Sequence, residues 1–191
     1  SFRRSSADAL HLATKDTDGF VRWDAAQSIL ESAIVKHKTG TPLAKVLLEK
    51  LSESAVSALD DGEAKALLAC AMTPPSTVYV LDQNPGYDII GLDQSRDRMR
   101  TQIGIALQDR WDTIVNQNRD QNPYRADSIS IARRALGHVA MDYLGAGQEA
   151  NAPQTAWDLY LELYQQCDNL TDRLFAFSRL LRLDPSFTEQ K

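Results

Sequence analysis

The chain reads as an all-α protein, an irregular α-solenoid of about nine antiparallel-paired helices forming a HEAT- or armadillo-like right-handed superhelix. Three observations predict this. Apolar residues recur at the helical period over most of the 191 residues, whereas apolar–polar alternation typical of strands is scarce. The breaks between periodic stretches are short and rich in helix-starting and helix-stopping residues. No repeat of about 34 or 40 residues recurs cleanly, which makes the array irregular.

Residues 6–14 form a short first helix that stops at the turn Asp16-Thr17-Asp18-Gly19. Asp18 is placed to cap the next helix, its carboxylate accepting first-turn amides. That helix covers residues 20–38, with Lys36, His37 and Lys38 in its last turn, where the backbone dipole favours positive charge. Phe20 and Trp23 lie three apart on one face, extended by Ala25 and Ala26, so Trp23 is expected in the core, with Arg22 pairing with Asp16, Asp18 or Asp24. Thr41 caps the third helix, Pro42 takes its first position, and a stripe of Leu43, Val46, Leu47, Lys50 and Leu51 continues to Leu59.

Asp60-Asp61-Gly62 breaks the pattern before an alanine–leucine helix over 63–72. Thr73-Pro74-Pro75-Ser76 starts another; Val78 to Leu81 suits a strand or a helix, and the proline start favours the helix. After the turn Asn84-Pro85-Gly86-Tyr87, residues 93–118 are expected to form the longest helix, followed by a polar linker over 116–123. Ile129, Ala132, Leu136, Val139 and Tyr143 mark the core face of the next, closed by Gly145-Ala146-Gly147. Trp157 to Tyr164 is apolar nearly all round, which predicts a helix between two layers. Asn169 caps a final helix that ends at Asp184-Pro185 and whose apolar face has nothing after it to cover it. That face, and an N-terminus without a secretory apolar run, lead us to expect that residues 1–191 are one helical domain cut from a longer protein.

Composition narrows the function classes. A net charge of −5 and interrupted basic stretches, Arg96 to Arg100 and Arg133-Arg134, read as solvated helix faces and argue against nucleic-acid binding. No 18-residue apolar run exists to cross a membrane. Cys70 and Cys167 are expected to be buried free thiols of a reducing compartment.

Reactive constellations are missing. His11, His37 and His138 are too far apart for the paired histidines of a helical zinc site. Asp16 and Asp18 fail as a calcium loop, because Thr14 and Ala25 fall where charged ligands are required. No serine sits in a G-x-S-x-G turn, and no glycine-rich phosphate loop occurs. His138, beside an apolar stripe, reads as a satisfied interior or boundary histidine. No catalytic, cofactor-binding or metal-ligating residue is therefore expected.

The segment from Asp16 to Gln27 follows the pattern D-x-D-x-F-x-R-W-D/E-A-x-Q, which resembles the opening of the C-terminal helical domain of aminopeptidase N, in the zinc gluzincin superfamily. Four further stretches keep the order: Ala66-Leu67-Leu68 to Ser76, Asp93-Gln94-Ser95-Arg96-Asp97, Asp127 to Leu136, and Asn169-Leu170-Thr171-Asp172. The resemblance implies a non-catalytic domain enclosing the active site of a cytoplasmic enzyme that removes N-terminal residues from peptides. Its partner would be the parent's own catalytic domain, which would hold the zinc, the general base and the glutamates that grip the substrate amine. It also implies that the domain continues past Lys191. The alternative is a free-standing helical-repeat scaffold that binds proteins in its concave face.

Overall fold

The computed structural model describes residues 5–36, 40–119 and 123–187. Among the described residues there are ten helices and no strands. In order they are α1 Ser6–Lys15, α2 Gly19–Lys36, α3 Thr41–Ser57, α4 Gly62–Met72 and α5 Thr77–Gln83. There follow α6 Ile89–Ala106, α7 Gln108–Asn118, α8 Ser128–Asn151, α9 Pro153–Gln166 and α10 Leu170–Leu183. Consecutive helices pair from α1 to α4 and from α8 to α10, and α8 is the central rod, touching α4, α6, α7, α9 and α10.

Local chemistry sets most of the starts. Ser5 and Asp8 form a reciprocal capping box at α1. Asp61, Ser76, Asp88, Asp127 and Asn169 each accept an amide from the third residue onward. Asp18 caps α2 as its position suggests, taking the amides of Phe20 (2.8 Å) and Val21 (3.0 Å). At α3 the cap is Gly40 rather than Thr41, which is already helical. Thr73 ends α4, and Ser76 alone caps α5, so residues 77–83 are helical. Lys36 does occupy the last turn of α2, while His37 and Lys38 lie outside the described residues.

The stretch 93–118 is two helices rather than one. Leu107 leaves helical geometry (φ −123°, ψ 26°), its carbonyl accepting the amides of Arg110 and Trp111 at 3.0 Å. The break seats the Trp111 indole, fully buried, against the ring of Tyr143 at 4.7 Å, with its N–H donating to the Ile103 carbonyl at 3.3 Å. The longest helix is instead α8, which runs straight through Gly145-Ala146-Gly147. Those glycines are there for contact. A Cβ at Gly147 would lie 2.7 Å from the Gly104 carbonyl carbon, and one at Gly145 would overlap the Tyr160 hydroxyl. Backbone of α6 therefore meets backbone of α8, and the Tyr160 ring of α9 lies against Gly145, two residues from Gly147 and so on a different side of α8.

Polar residues are buried at the same crossing. Arg100 on α6, 1% exposed, donates to the Asp142 carboxylate and carbonyl on α8 and to Asp97 at 3.1 Å. Asp142 also takes Arg179 of α10 at 2.7 Å, and Asp97 takes Arg182 at 3.0 Å. The basic stretch around Arg100 is thus no solvated face. Arg100 is one residue from Met99 and three from Ile103, so the helical period carries it to the margin of the core.

Four expectations about burial fail. Phe20 is 70% exposed and Trp23 37%, although Ala25 and Ala26 behind them are fully buried. Cys70 is exposed and Cys167 half-buried, both as free thiols. On α9 only Ala156 and Tyr160 are fully buried, because α8 and α10 cover one side and no layer among the described residues covers the other. Val46 and Ile129 similarly face outward, the buried face of α3 passing through Ala44, Leu47, Leu48 and Leu51.

Urea titrations distinguish the two tryptophans. Trp111→Ala is expected to cost about 3–5 kcal/mol, and Trp23→Ala about 1 kcal/mol or less; equal losses would contradict the burial described. Asp142→Ala leaves Arg100 with one carboxylate partner fewer inside the fold and is expected to cost about 3 kcal/mol or more. A loss below about 1 kcal/mol would place that pair in water.

Candidate functional site

Where the last turn of α7, the middle of α8, the end of α9 and the start of α10 come together, they leave a cleft of about 560 Å³. Val115, Met141 and Leu163 supply apolar lining, and polar groups converge on it from four segments. His138 projects from α8, its Nε2 2.7 Å from Asp172 Oδ1 on α10, and its ring stacks on Phe175 at 4.2 Å. Asn169 donates to the other Asp172 oxygen at 2.8 Å and accepts the Asp172 amide at 2.9 Å. Burial pushes the Asp172 carboxyl up, but the hydrogen bonds from His138 and Asn169, aided by the charges of His138 and Arg134, outweigh it and hold the carboxyl below its usual range.

One turn earlier on α8, Arg134 lies over the Tyr124 ring at 4.7 Å and donates to the Arg125 carbonyl at 3.0 Å. The Tyr124 amide donates to Asp168 at 2.7 Å, a bond that keeps Asp168 below the ordinary carboxylate range. Arg119 pairs with Glu162 at 2.9 Å and depresses its pKa in the same way. Beneath them Lys65, almost fully buried, donates to the Asn118 side chain at 2.8 Å; burial lowers the lysine's pKa.

These pairs are ties between elements. His138–Asp172 binds α8 to α10, Arg119–Glu162 binds the end of α7 to α9, and Lys65–Asn118 binds α4 to α7. Cys167 directs its thiol to the Tyr164 carbonyl at 3.5 Å. Among the described residues no group of three or more His, Cys, Asp or Glu could hold a metal ion.

Residues 6–190 match a family model described as "Domain of unknown function (DUF3458_C) ARM repeats". The chain belongs to that family. It is 30% identical over 163 residues to aminopeptidase N of Escherichia coli (strain K12), covering 83% of this chain and 18% of that protein. To aminopeptidase N of Caulobacter vibrioides (strain ATCC 19089 / CIP 103742 / CB 15) it is 28% identical over 148 residues, covering 75% and 17% respectively. The crystal structure of Legionella pneumophila aminopeptidase A in complex with aspartic acid superposes with a TM-score of 0.77 at 17% identity, over 97% of this chain and 22% of that one. That likeness shows the fold. The chain spans about a fifth of the length of the curated relatives it matches. The resemblance to the C-terminal helical domain of aminopeptidase N, drawn from the sequence, is upheld.

Within this ARM-repeat domain the residues weighed in the sequence are scattered. His11 is exposed on α1, and His138 is the boundary histidine expected, satisfied by Asp172. Asp16 accepts the Asp18 amide at 2.8 Å, so both carboxylates of the supposed loop serve the start of α2. Arg22 donates to the Ala13 carbonyl at 3.5 Å. Arg96 donates to the Pro75 carbonyl at 3.0 Å, and Arg134, expected in solvent, is 7% exposed. The ARM-repeat cleft itself is not legible in the sequence. Only the Asn169–Asp172 spacing marks a part of it, and that spacing signals a helix start.

Because the Asp172 carboxyl is held low in the folded domain, its stabilisation is complete above the unfolded value, near pH 4. It is lost as pH falls through the lower folded value. Asp172→Asn is therefore expected to lower the thermal midpoint at about pH 6 and to lower it progressively less below about pH 4. A midpoint difference independent of pH would remove the carboxylate from the tie.

Proposed function

We propose that this ARM-repeat domain is a non-catalytic wall of a zinc aminopeptidase similar to aminopeptidase N. It encloses an active site built elsewhere in the parent and governs which peptides reach it. The observation that carries the proposal is the match of residues 6–190 to an ARM-repeat family whose relatives here are aminopeptidases about five times longer. The polar chemistry of the cleft supports it, since its charged groups hold helices together. A wall of this kind admits short or flexible chains, excludes folded ones and keeps bulk water from the reacting bond.

Residues 1–191 act as one domain in this reading and contribute no catalytic, cofactor-binding or metal-binding residue. Zinc would belong to the parent's catalytic domain, which is the domain's principal partner, and peptides would meet the wall in transit. Among the described residues no helix is long and apolar enough to cross a membrane. The two unpaired cysteines support a cytoplasmic, reducing location.

Two measurements test this. The purified chain with added zinc is expected to release no amino acid from aminoacyl-anilides, and zinc-dependent turnover by the pure chain would overturn the division of labour. The full-length parent is expected to trim short peptides and leave the N-terminus of a folded protein intact. Equal rates on both would remove the access role.

A further inference from the structure

The Phe20–Trp23 pair is the feature that neither the fold nor the cleft uses. The two rings lie 5.6 Å apart, tilted 40° to one another, on the outer side of the first turns of α2. The backbone beneath them is anchored. Asp18 caps the helix beneath Phe20, and Ala25 and Ala26 are locked in the core behind. One turn further on, the Gln27 amide donates to the Cys70 and Thr73 carbonyls at 3.3 and 3.0 Å, which clamps α2 to the end of α4. Leu67 of α4 borders the patch from the side, 3.5 Å from where a Cβ of Gly19 would stand. Two large aromatics exposed together on so rigid a platform are costly in water and are the usual anchors of an interface.

We infer that Phe20 and Trp23 form a docking surface for another segment of the parent polypeptide, one presenting an apolar pocket with a basic rim. This rests on the proposed membership of a longer aminopeptidase. The occupant follows from length and charge. The relatives extend to about five times this chain, so most of such a protein lies outside these helices. Around the patch Asp16, Asp18 and Asp24 outnumber Lys15 and Arg22, an excess of negative charge that disfavours a second copy and favours cations across the contact. The small residues Ala25 and Ala26 seat α2 deep in the bundle, so the rings project as a ridge that a pocket can receive.

Acrylamide quenching of tryptophan fluorescence tests the surface, with Trp23→Phe subtracted so that only the Trp23 signal is read. In the isolated chain that signal is expected to be strongly quenched; in the full-length parent it is expected to be shielded several-fold, as a desolvated anchor would be. Phe20→Ser together with Trp23→Ser should leave the melt of the isolated chain nearly unmoved, and should raise proteolytic cleavage of the parent roughly tenfold, as truncating an interface anchor does. A Trp23 equally quenched in the parent overturns the inference. So does shielding in the isolated chain that grows with concentration, which would assign the patch to a second copy. Shielding in a parent that proves to be no aminopeptidase sustains the docking surface while removing the proposed function.

Discussion

The close crossing of α6 over α8 is the constraint on which the rest of this structure depends. Gly104 and Gly147 let the two backbones meet with no side chain between them. That approach leaves no room for a solvated arginine at Arg100, which is carried inside and must find its counter-charge there. Asp142 on α8 and Asp97 on α6 provide it. The same two carboxylates then reach α10 through Arg179 and Arg182, so a backbone contact between two helices decides where a third one lies.

The cleft repeats this logic at the opposite end of α10. Its first turn is tied to α8 by His138 and Asp172, and its last turns by Arg179 and Arg182. Between the two clamps Ala176 and Leu180 fill the space against the bundle. A helix held by charge at both ends and by apolar contact in the middle resists rolling. The cleft's ionisable groups thus gain a structural meaning: burial and hydrogen bonding act against each other at Asp172, while at Lys65 burial and the nearby Arg133 charge together lower the pKa against the pull of Asp60.

Helix starts were legible in the chain because caps are local. Ser76, Asp127 and Asn169 act within three residues of themselves, and so does Asp18. Helix ends and breaks were less so. Gly145 and Gly147 look like a stop in sequence, yet Tyr160 uses the bareness of the first and Gly104 that of the second, and α8 continues. Leu107 breaks a periodic run because Trp111 gains a slot against Tyr143, a partner no local pattern reveals. Of the cleft, only the Asn169–Asp172 cap could be read; His138, Arg119 and Lys65 meet their partners across 34 to 53 residues of chain.

Sequence alone determined the all-helical class, most helix starts and the likeness to a family of aminopeptidase domains. Each is set by periodicity, capping or residue order, which act along the chain. Tertiary structure alone decided which aromatic is core and which is surface, and which arginines are solvated. Trp23 and Trp111 occupy similar helical patterns, and their burial differs because Trp111 stacks on Tyr143 of α8 while Trp23 keeps 37% of its surface open. Burial is a property of what lies across the gap, and a linear chain does not carry that information in its own spacing.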